Sequence, residues 1–386
     1  MAKIKVVHHC SVWLEITQTW LFNQITYLPE SIENHIVCRS TKNLDQFAVG
    51  HLNALKQQRF GLYLLYRLQT LFGKKHQTGF FQQKIEQIRP DIIHSHFGNN
   101  GWTVMKAVEA YGAPHFITFY GQDVGKLPKD NPIWLSRYRD LFTAPQSRFL
   151  CEGPHMAMCL VAMGCPAEKV KVHHLGIEVE KIAFQARQWH KGEVLKVLIA
   201  ASFREKKGIP YALEALGRVH PEIPLEITII GDADSSKEGQ EEKEQIQAIL
   251  KSAGLEPVTK MLGYCPQNIL WQEAYRNHLF LSPSVTAGNG DTEGGAPVSL
   301  IEMAASGMPI VSSWHCDIPE VVKDGQTGWL AEERNVDAIV SCLYRWINAP
   351  QAWPEMLRAG RQHIERNYDA RVQGQVLAKH YQESLR

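Results

Sequence analysis

The feature that most constrains the fold is an alternation of short apolar runs, rich in β-branched residues, with longer stretches of helical periodicity. This alternation is typical of parallel βαβ units, and the chain shows it twice. The first half predicts strands at residues 4–9, 35–38, 91–97, 115–120, 148–151 and 170–174. The second half predicts strands at 194–201, 225–230, 258–262, 278–281, 309–312 and 328–331.

A chain of 386 residues exceeds the size at which one hydrophobic core stops growing. We therefore predict an α/β protein with two Rossmann-like, doubly wound parallel sheets facing a cleft, where ligands bind beyond the carboxyl ends of the strands. The stretch 176–194 is polar and lacks a strand pattern, so the domain junction is placed there. The expected domains are 1–180 and 190–365, with a final helix at 366–386 packing back on the first domain.

Composition excludes several classes of protein. Lysine plus arginine total 41 and aspartate plus glutamate total 40, a formal net charge of +1. A general nucleic-acid binder needs a basic surface, so no nucleic-acid partner is expected. The eight cysteines form no C-x-x-C pair, which argues against structural zinc and a disulfide framework and favours reduced thiols in the cytoplasm. The N-terminal apolar run is too short for a signal peptide, and no stretch is long enough to span a bilayer.

The segment 52–85 combines lysines, arginines and aromatic residues, and it contains no acidic residue. Such a segment favours a surface that lies on anionic lipid, which would place the protein on the inner face of a membrane. An equally simple interpretation is an amphipathic helix whose aromatic face covers the first sheet. Both interpretations stay open at this point.

The segment 291–307, DTEGGAPVSLIEMAASG, has the features of a phosphate site. Gly294 and Gly295 allow backbone conformations that a Cβ would block. Pro297 suits the first turn of a helix, whose unpaired amides attract an anion. Glu293 before the helix and Glu302 on it could meet the hydroxyls of a sugar or ribose from two sides of that phosphate.

Other motifs are absent or weak. No G-x-G-x-x-G follows the first strand and no G-x-x-x-x-G-K-[ST] occurs, so neither nicotinamide binding nor P-loop chemistry is supported. The D-x-D at 232–234 follows a strand directly, where a turn favours aspartate, so no metal site is predicted. The segment FREKKG at 203–208 follows the first strand of the second domain, and Arg204, Lys206 and Lys207 could bind a diphosphate there.

Taken together, these segments resemble the retaining glycosyltransferases of family 4, also called glycosyl transferases group 1, which have the GT-B fold. The likeness is nearest to members that build exopolysaccharides such as colanic acid, and it covers nearly the whole chain. It rests on segments 91–101, 117–124, 195–216 and 280–330, in family order, and on 16–25, which resembles the family's SETF-type segment with Thr17, Gln18 and Thr19 in its polar positions.

The resemblance assigns donor-binding roles around the glycine pair. Glu302 matches the second glutamate of the family's E-x7-E motif, which binds the ribose, and Glu293 is nearest to the first, which binds sugar hydroxyls. Here eight residues separate the two, so Gly294 occupies the strict position. The amides near Val298 and Ser299 match the family's contact with the α-phosphate.

Further donor contacts follow from the family's R-x4-K-G segment. Lys207 matches its lysine, which binds the diphosphate. Its arginine falls on Ser202, and Arg204 two residues later is the available replacement. Tyr264 lies where the family seats the base.

On the sugar and acceptor side, the histidine of the family's THG segment falls on Tyr120. Asp123 is retained, and capping of a turn is its alternative role. His94 and His96 alternate on one strand and point the same way, with His96 the better candidate for the cleft.

The resemblance implies metal-independent, retaining hexosyl transfer by front-face attack, from a nucleotide-diphosphate sugar to a lipid-linked or polysaccharide acceptor, with no further cofactor. Charge on the leaving diphosphate would be stabilised by Lys207, Arg204 and the helix start. A sugar-nucleotide epimerase with the same architecture is one alternative. A non-catalytic sugar-nucleotide-binding subunit is another, motivated by Ser202 and Tyr120.

Overall fold

The structure is a computed structural model that describes residues 3–15, 18–58 and 76–386, with the backbone alone for 76 and 77. Thr17 lies outside the described residues, and so does the middle of the segment 52–85. Two compact units are present. One comprises the chain up to Ile177 together with Ala370–Arg386, and the other is the contiguous stretch Glu178–Asp369.

The first unit contains a seven-stranded, all-parallel sheet. Its strands are β1 Ile4–Trp13, β2 Ile32–Thr41, β3 Leu52–Ala54, β4 Ile92–His96, β5 His115–Thr118, β6 Ser147–Cys151 and β7 Val170–Val172. Their order is β3-β2-β1-β4-β5-β6-β7, a doubly wound arrangement that reverses between β1 and β4. All six predicted strands are confirmed with shifted ends. β3 was not predicted, because three edge residues show no periodicity.

Helices cover both faces of this sheet. They are Thr19–Thr26, His76–Ile88, Gly98–Tyr111, Leu127–Asp130, Ile133–Thr143, Pro154–Ala162 and Ala370–Ser384, with a π-helical turn at Gln122–Lys126. Phe80 and Phe81, from the basic aromatic segment, are buried against Val7 and Val37, so these two aromatic side chains belong to the core. The C-terminal helix packs Leu377, Ala378 and Tyr381 against the first sheet.

The second unit contains a six-stranded, all-parallel sheet. Its strands are β8 Leu195–Ala200, β9 Leu225–Ile230, β10 Thr259–Met261, β11 Leu279–Ser282, β12 Ile310–Ser313 and β13 Trp329–Ala331, in the order β10-β9-β8-β11-β12-β13. The helices are Ile209–Val219, Lys237–Ser252, Gln267–Arg276, Val298–Ala305, Ile318–Val321, Val336–Asn348 and Trp353–Asn367. All six predicted strands are confirmed here.

The reversal of strand order between β8 and β11 fixes where a ligand can be bound in the second unit. Loops leave the carboxyl ends of these adjacent strands side by side, and such a crevice is the usual ligand site of a doubly wound sheet. The loop after β8 carries FREKKG, and the loop after β11 carries the glycine pair. The sheet topology therefore brings together two segments that are more than 80 residues apart, as the 86-residue separation of Lys207 and Glu293 shows.

In the described ranges, no helix has the length and apolar character needed to cross a bilayer.

Candidate active site

The turn after β8 is built against the loop after β11. Glu205–Lys207 form one 3-10 turn, and Gly208 ends it in the left-handed conformation with φ of +63°. A Cβ on Gly208 would lie 1.9 Å from the carbonyl oxygen of Pro283, so only glycine allows this approach. The two loops are therefore in direct backbone contact.

Side chains of this turn also form hydrogen bonds with the loop after β11. The amide of Gly288 donates a hydrogen bond to Glu205 Oε2 at 2.8 Å. Lys206 Nζ donates to Asp291 Oδ1 at 3.2 Å and to the carbonyl oxygen of Thr292 at 2.9 Å. The turn and the loop are thus joined at successive positions.

Lys207 and Glu293 form the closest ion pair of the site. Lys207 Nζ lies 2.8 Å from each carboxylate oxygen of Glu293, and the side chains are only 18% and 6% exposed. Ser284 Oγ donates a further hydrogen bond to Glu293 Oε1 at 2.8 Å. Burial alone would raise the pKa of Glu293, but the Lys207 and Lys206 ammonium groups and the hydrogen bonds hold it below its usual value. Glu293 is therefore an ionised carboxylate.

The backbone of Glu293 is also anchored. Its amide donates to His315 Nε2 at 3.1 Å, and His315 Nδ1 lies 2.6 Å from Glu333 Oε1. The other oxygen of Glu333 accepts a hydrogen bond from the amide of Thr286 at 2.7 Å. This His315–Glu333 pair links the loop after β11 to the loops after β12 and β13.

The glycine pair sets the path between Glu293 and the helix. Gly294 has φ of +78°, a conformation that L-residues with side chains rarely adopt. Gly294 and Gly295 are both buried. A substitution at Gly294 would therefore redirect the loop that carries Glu293.

The helix Val298–Ala305 begins without a side-chain cap. Pro297 is its N-cap residue, one position before the predicted first turn, and no acidic residue lies in that turn. The amides at the start of a helix have no intrahelical acceptor, so those of Val298 and Ser299 face outward with the positive end of the helix dipole. This is an arrangement that favours an anion.

Glu302 lies one turn into this helix in surroundings unlike those of Glu293. No hydrogen bond or ion pair of its carboxylate occurs among the described residues. Burial without a positive partner raises its pKa to about 7. A ligand that donates hydroxyl groups would supply what this side chain lacks.

The remaining predicted donor residues lie at the edge of this region. Ser202 is half-buried in the loop after β8. Arg204 is directed to Asp234, with Nη2 to Oδ2 at 3.2 Å, and both side chains are nearly half exposed. Tyr264 is 64% exposed and donates to the carbonyl oxygen of Asp232 at 2.8 Å. Asp232 pairs with Lys243 at 2.7 Å, so each carboxylate of the D-x-D has a cationic side chain as its partner.

In the first unit, Asp123 caps a helix rather than the turn that follows it. The amides of Gly98 and Asn99, at the start of the helix Gly98–Tyr111, and the amide of Tyr120 donate to its carboxylate. Tyr138 donates its hydroxyl at 3.2 Å. The carboxyl group is buried, which raises its pKa to about 6 despite these hydrogen bonds.

His96 and His94 point to the same face of β4, where both are fully buried beside His8. His94 bonds Tyr381 and Thr118 through its two ring nitrogens, at 2.6 and 2.7 Å. The ring nitrogens of the three histidines lie within 4.8 Å of one another, as a metal site would require. All six nitrogens already have a hydrogen-bond partner, however, so this cluster is accounted for by hydrogen bonding alone.

Hydrogen-bond direction can be followed through this cluster to Tyr120. The Asn34 amide nitrogen donates to the carbonyl oxygen of Ile25, which makes its Oδ1 an acceptor for His8 Nε2–H at 3.1 Å. Neutral His8 therefore accepts at Nδ1 from His96 Nε2–H, at 3.1 Å. His96 then accepts at Nδ1 from the Tyr120 hydroxyl, at 3.0 Å.

Thr19 opens the helix Thr19–Thr26, and Gln18 is its N-cap residue. The next residue, Trp20, packs on Tyr120 with ring centroids 4.3 Å apart. The SETF-like segment and the THG-like segment therefore meet in the first unit. Tyr120, Asp123 and His96 are all buried, so their partners in the structure are other side chains and backbone amides of this unit.

Sequence reasoning missed Ser284, His315 and Glu333. Each lies two residues beyond the end of a strand in the second sheet, β11, β12 and β13 in turn. That position was the available signal, because the carboxyl ends of parallel strands form the ligand edge. Their link to Glu293 depends on loop geometry.

Solved structures share this architecture along nearly the whole chain. The Anabaena protein HepE in complex with UDP aligns with a TM-score of 0.79 at 14% identity, over 98% of this chain and 100% of its own. Sucrose-phosphate synthase from Thermosynechococcus elongatus aligns with a TM-score of 0.76 at 13% identity, over 99% of each chain. The two all-parallel, doubly wound sheets thus define the GT-B class of fold.

Sequence comparison places the chain within that class. The profile described as "Glycosyltransferase Family 4" matches residues 17–181, and that described as "Glycosyl transferases group 1" matches 181–363. The amylovoran biosynthesis glycosyltransferase AmsK of Erwinia amylovora is 34% identical, over 75% of this chain and 69% of its own length. The colanic acid biosynthesis glycosyltransferase WcaL of Escherichia coli, whose own assignment is provisional, is 29% identical over 75% and 70%. This chain belongs to glycosyltransferase family 4 and is a glycosyltransferase.

Proposed function

We propose that the protein transfers a hexose, with retention of configuration, from a nucleotide-diphosphate sugar to a lipid-linked or polysaccharide acceptor in the synthesis of a surface glycan. The observation that carries this proposal is the set of groups in the second unit around the open start of the helix Val298–Ala305. That set combines a phosphate-binding lysine, Lys207, with two carboxylates, Glu293 and Glu302, suited to hydroxyl groups. The names of the amylovoran and colanic acid relatives support the biosynthetic setting.

Each group has a distinct task in the proposed reaction. Lys207 and the amides of Val298 and Ser299 stabilise the negative charge that grows on the leaving diphosphate. Glu302 accepts hydroxyls of the ribose, and Glu293 accepts hydroxyls of the sugar. No metal ion is needed, because the lysine and the helix start supply positive charge. Activity is accordingly expected to survive a chelator.

The acceptor side is proposed on the resemblance. Tyr120, Asp123 and His96 would act there with Thr17 and Thr19, and the burial of the first three means that they orient neighbouring groups. A lipid-linked acceptor fits attachment to an anionic membrane surface from the cytoplasmic side, for which the basic segment 52–85 is the proposed contact.

The donor is identified first, by thermal shift with UDP-, GDP- and ADP-sugars, since a ligand at a hundredfold its Kd adds roughly 2.7 kcal/mol of apparent stability. Transfer is then measured with that donor and a lipid or glycan acceptor extract. Lys207→Ala and Glu302→Ala are each expected to lower transfer by about a hundredfold or more, since each removes charge or hydroxyl contacts to the donor. The exposed Lys251 provides a matched control, and Lys251→Ala is expected to retain full activity.

Unchanged transfer in both folded variants would contradict the proposal. NMR of the donor incubated alone separates the alternatives, because an epimerase converts it without an acceptor. A binding subunit would bind the donor and show neither transfer nor hydrolysis.

A further inference from the structure

The lysine assigned to the donor diphosphate is already neutralised in the free protein. Two of the three protons that a lysine ammonium can donate are directed to Glu293, at 2.8 Å from each carboxylate oxygen. Lys206 is paired in the same way with Asp291. Both lysines of this turn therefore form ion pairs with carboxylates of the loop after β11.

A diphosphate cannot simply be added to this arrangement. A diphosphate bound by Lys207 would bring negative charge next to the Glu293 carboxylate, which lies 2.8 Å from the same ammonium group, and like charges at such distances repel strongly. Glu293 is also too buried to be left without a partner at low cost. When a diphosphate binds, Lys207 must therefore pair with the diphosphate in place of the Glu293 carboxylate. Glu293 then needs other hydrogen-bond donors.

Glu293 is built to stay in place after such an exchange. Ser284 Oγ still donates to its Oε1, and His315 still accepts from its amide. The oxygen released by Lys207 is then free to accept a hydroxyl group. A sugar attached to the diphosphate brings hydroxyl groups, whereas a bare diphosphate brings none.

We propose that the Lys207–Glu293 ion pair is a latch that the donor opens: the diphosphate takes the lysine and the hydroxyls of the sugar take the carboxylate. This inference rests on the proposed function and deepens it. The latch makes binding of a bare diphosphate weak, because that ligand breaks the pair without replacing both partners. The intact donor replaces both.

The test is calorimetric titration with inorganic pyrophosphate, which has no base and no sugar. Glu293→Gln removes the competing charge and keeps the shape of the side chain. We expect this variant to bind pyrophosphate about tenfold more tightly than the unmodified protein, in line with the net worth of a charged hydrogen bond. Glu226→Gln is the matched control, because this carboxylate also pairs with a cation, Arg276, but lies at the amino end of β9, and its affinity is expected to change by less than about twofold.

Each outcome decides one point. Measurable binding by Glu293→Gln that is weaker than or equal to that of the unmodified protein would overturn the latch and leave the proposed donor site intact. An equal gain in Glu226→Gln would overturn it too, because a general charge effect would then be sufficient. If neither the unmodified protein nor Glu293→Gln binds pyrophosphate, the donor site itself is wrong.

A second variant serves if Glu293→Gln fails to fold. Ser284→Ala removes one hydrogen bond that holds the carboxylate against Lys207 and leaves the charge in place. It is expected to bind pyrophosphate about threefold more weakly, because the carboxylate released by Lys207 then lacks the hydroxyl donor that would stabilise it. Tighter or unchanged binding in this variant would count against the latch.

Discussion

At the scale of single residues, Glu293 and Glu302 show how surroundings set the chemistry of one residue type. The first is buried with two lysines, and its pKa is below the usual range. The second is half-buried without a positive partner among the described residues, and its pKa is raised to about 7. The two carboxylates therefore carry different average charge at neutral pH, although they lie in one short segment.

The raised pKa of Glu302 predicts a dependence of stability on pH. An acid with a higher pKa in the folded than in the unfolded state binds more protons when folded, so stability falls as the pH rises from about 4.5 to about 7. Glu302→Gln removes this loss. We expect its free energy of unfolding, relative to the unmodified protein, to increase across that range and to level off above it.

Urea unfolding at several pH values measures this difference. Glu244→Gln, on the exposed face of the helix Lys237–Ser252, is the control and should show a flat difference. A flat difference for Glu302→Gln as well would mean that the carboxyl group finds a partner when folded.

The sequence and the family resemblance single out candidate residues for the donor side, but they do not predict the partners of those residues. The spacing between Glu293 and Glu302 did not show which residue would meet Lys207. That depends on the positive φ of Gly294 and on the anchoring of Glu293 by Ser284 and His315. Contacts between loops 86 residues apart are not encoded in local spacing.

At the scale of elements, the two units differ in how one corresponding helix begins. Each has a helix that starts beyond the strand next to the reversal of strand order. In the first unit the carboxylate of Asp123 caps that helix, which begins at Gly98. In the second unit the helix beginning at Val298 has no side-chain cap. This contrast favours the second unit for phosphate.

Gly208 predicts a measurable cost at the turn after β8. Gly208→Ala would place a Cβ 1.9 Å from the carbonyl oxygen of Pro283, in a left-handed conformation. We expect a loss of about 3 kcal/mol or more in the free energy of unfolding, because the clash adds to the strain of a positive φ. Gly254→Ala is a matched control, since Gly254 has φ of +66° and no atom within 4 Å of the added Cβ.

The control is expected to lose only about 1 kcal/mol. Chemical denaturation of both variants gives the comparison. Equal losses would show that the loop after β11 moves aside, and that the contact between the two loops is loose.

At the scale of the whole molecule, the alternation of strands and helices was sufficient to predict two parallel sheets. Twelve strands followed from apolar runs, because the strands of a parallel sheet are buried on both faces. The three residues of β3 were not predicted, since such a short edge strand has no hydrophobic periodicity of its own and is held by pairing with Ile36–Cys38.

The division of the chain predicts unequal autonomy of the two units. A fragment of residues 178–369 retains its own sheet and a core that includes Trp189, Trp346 and Trp353. We expect it to fold alone and to unfold cooperatively by circular dichroism. A fragment ending at residue 177 lacks Leu377 and Tyr381, which cover Ile92 and Phe116, and we expect it to be markedly less stable.

Restoring residues 370–386 to that fragment through a flexible linker provides the control and should recover stability. Failure of the 178–369 fragment to fold, under conditions where the full chain is folded, would contradict this prediction.

The outermost strands of both sheets, β3, β7, β10 and β13, are three residues each, whereas β1 has ten and β8 six. A short edge exposes few unpaired amides and carbonyls, and so offers little template for another chain to add a strand. The sheets in the described part of the molecule are thus protected against edge-to-edge aggregation. Concentrated preparations should resist fibril formation, and partner proteins that recognise this chain are expected to do so through side chains rather than by strand addition.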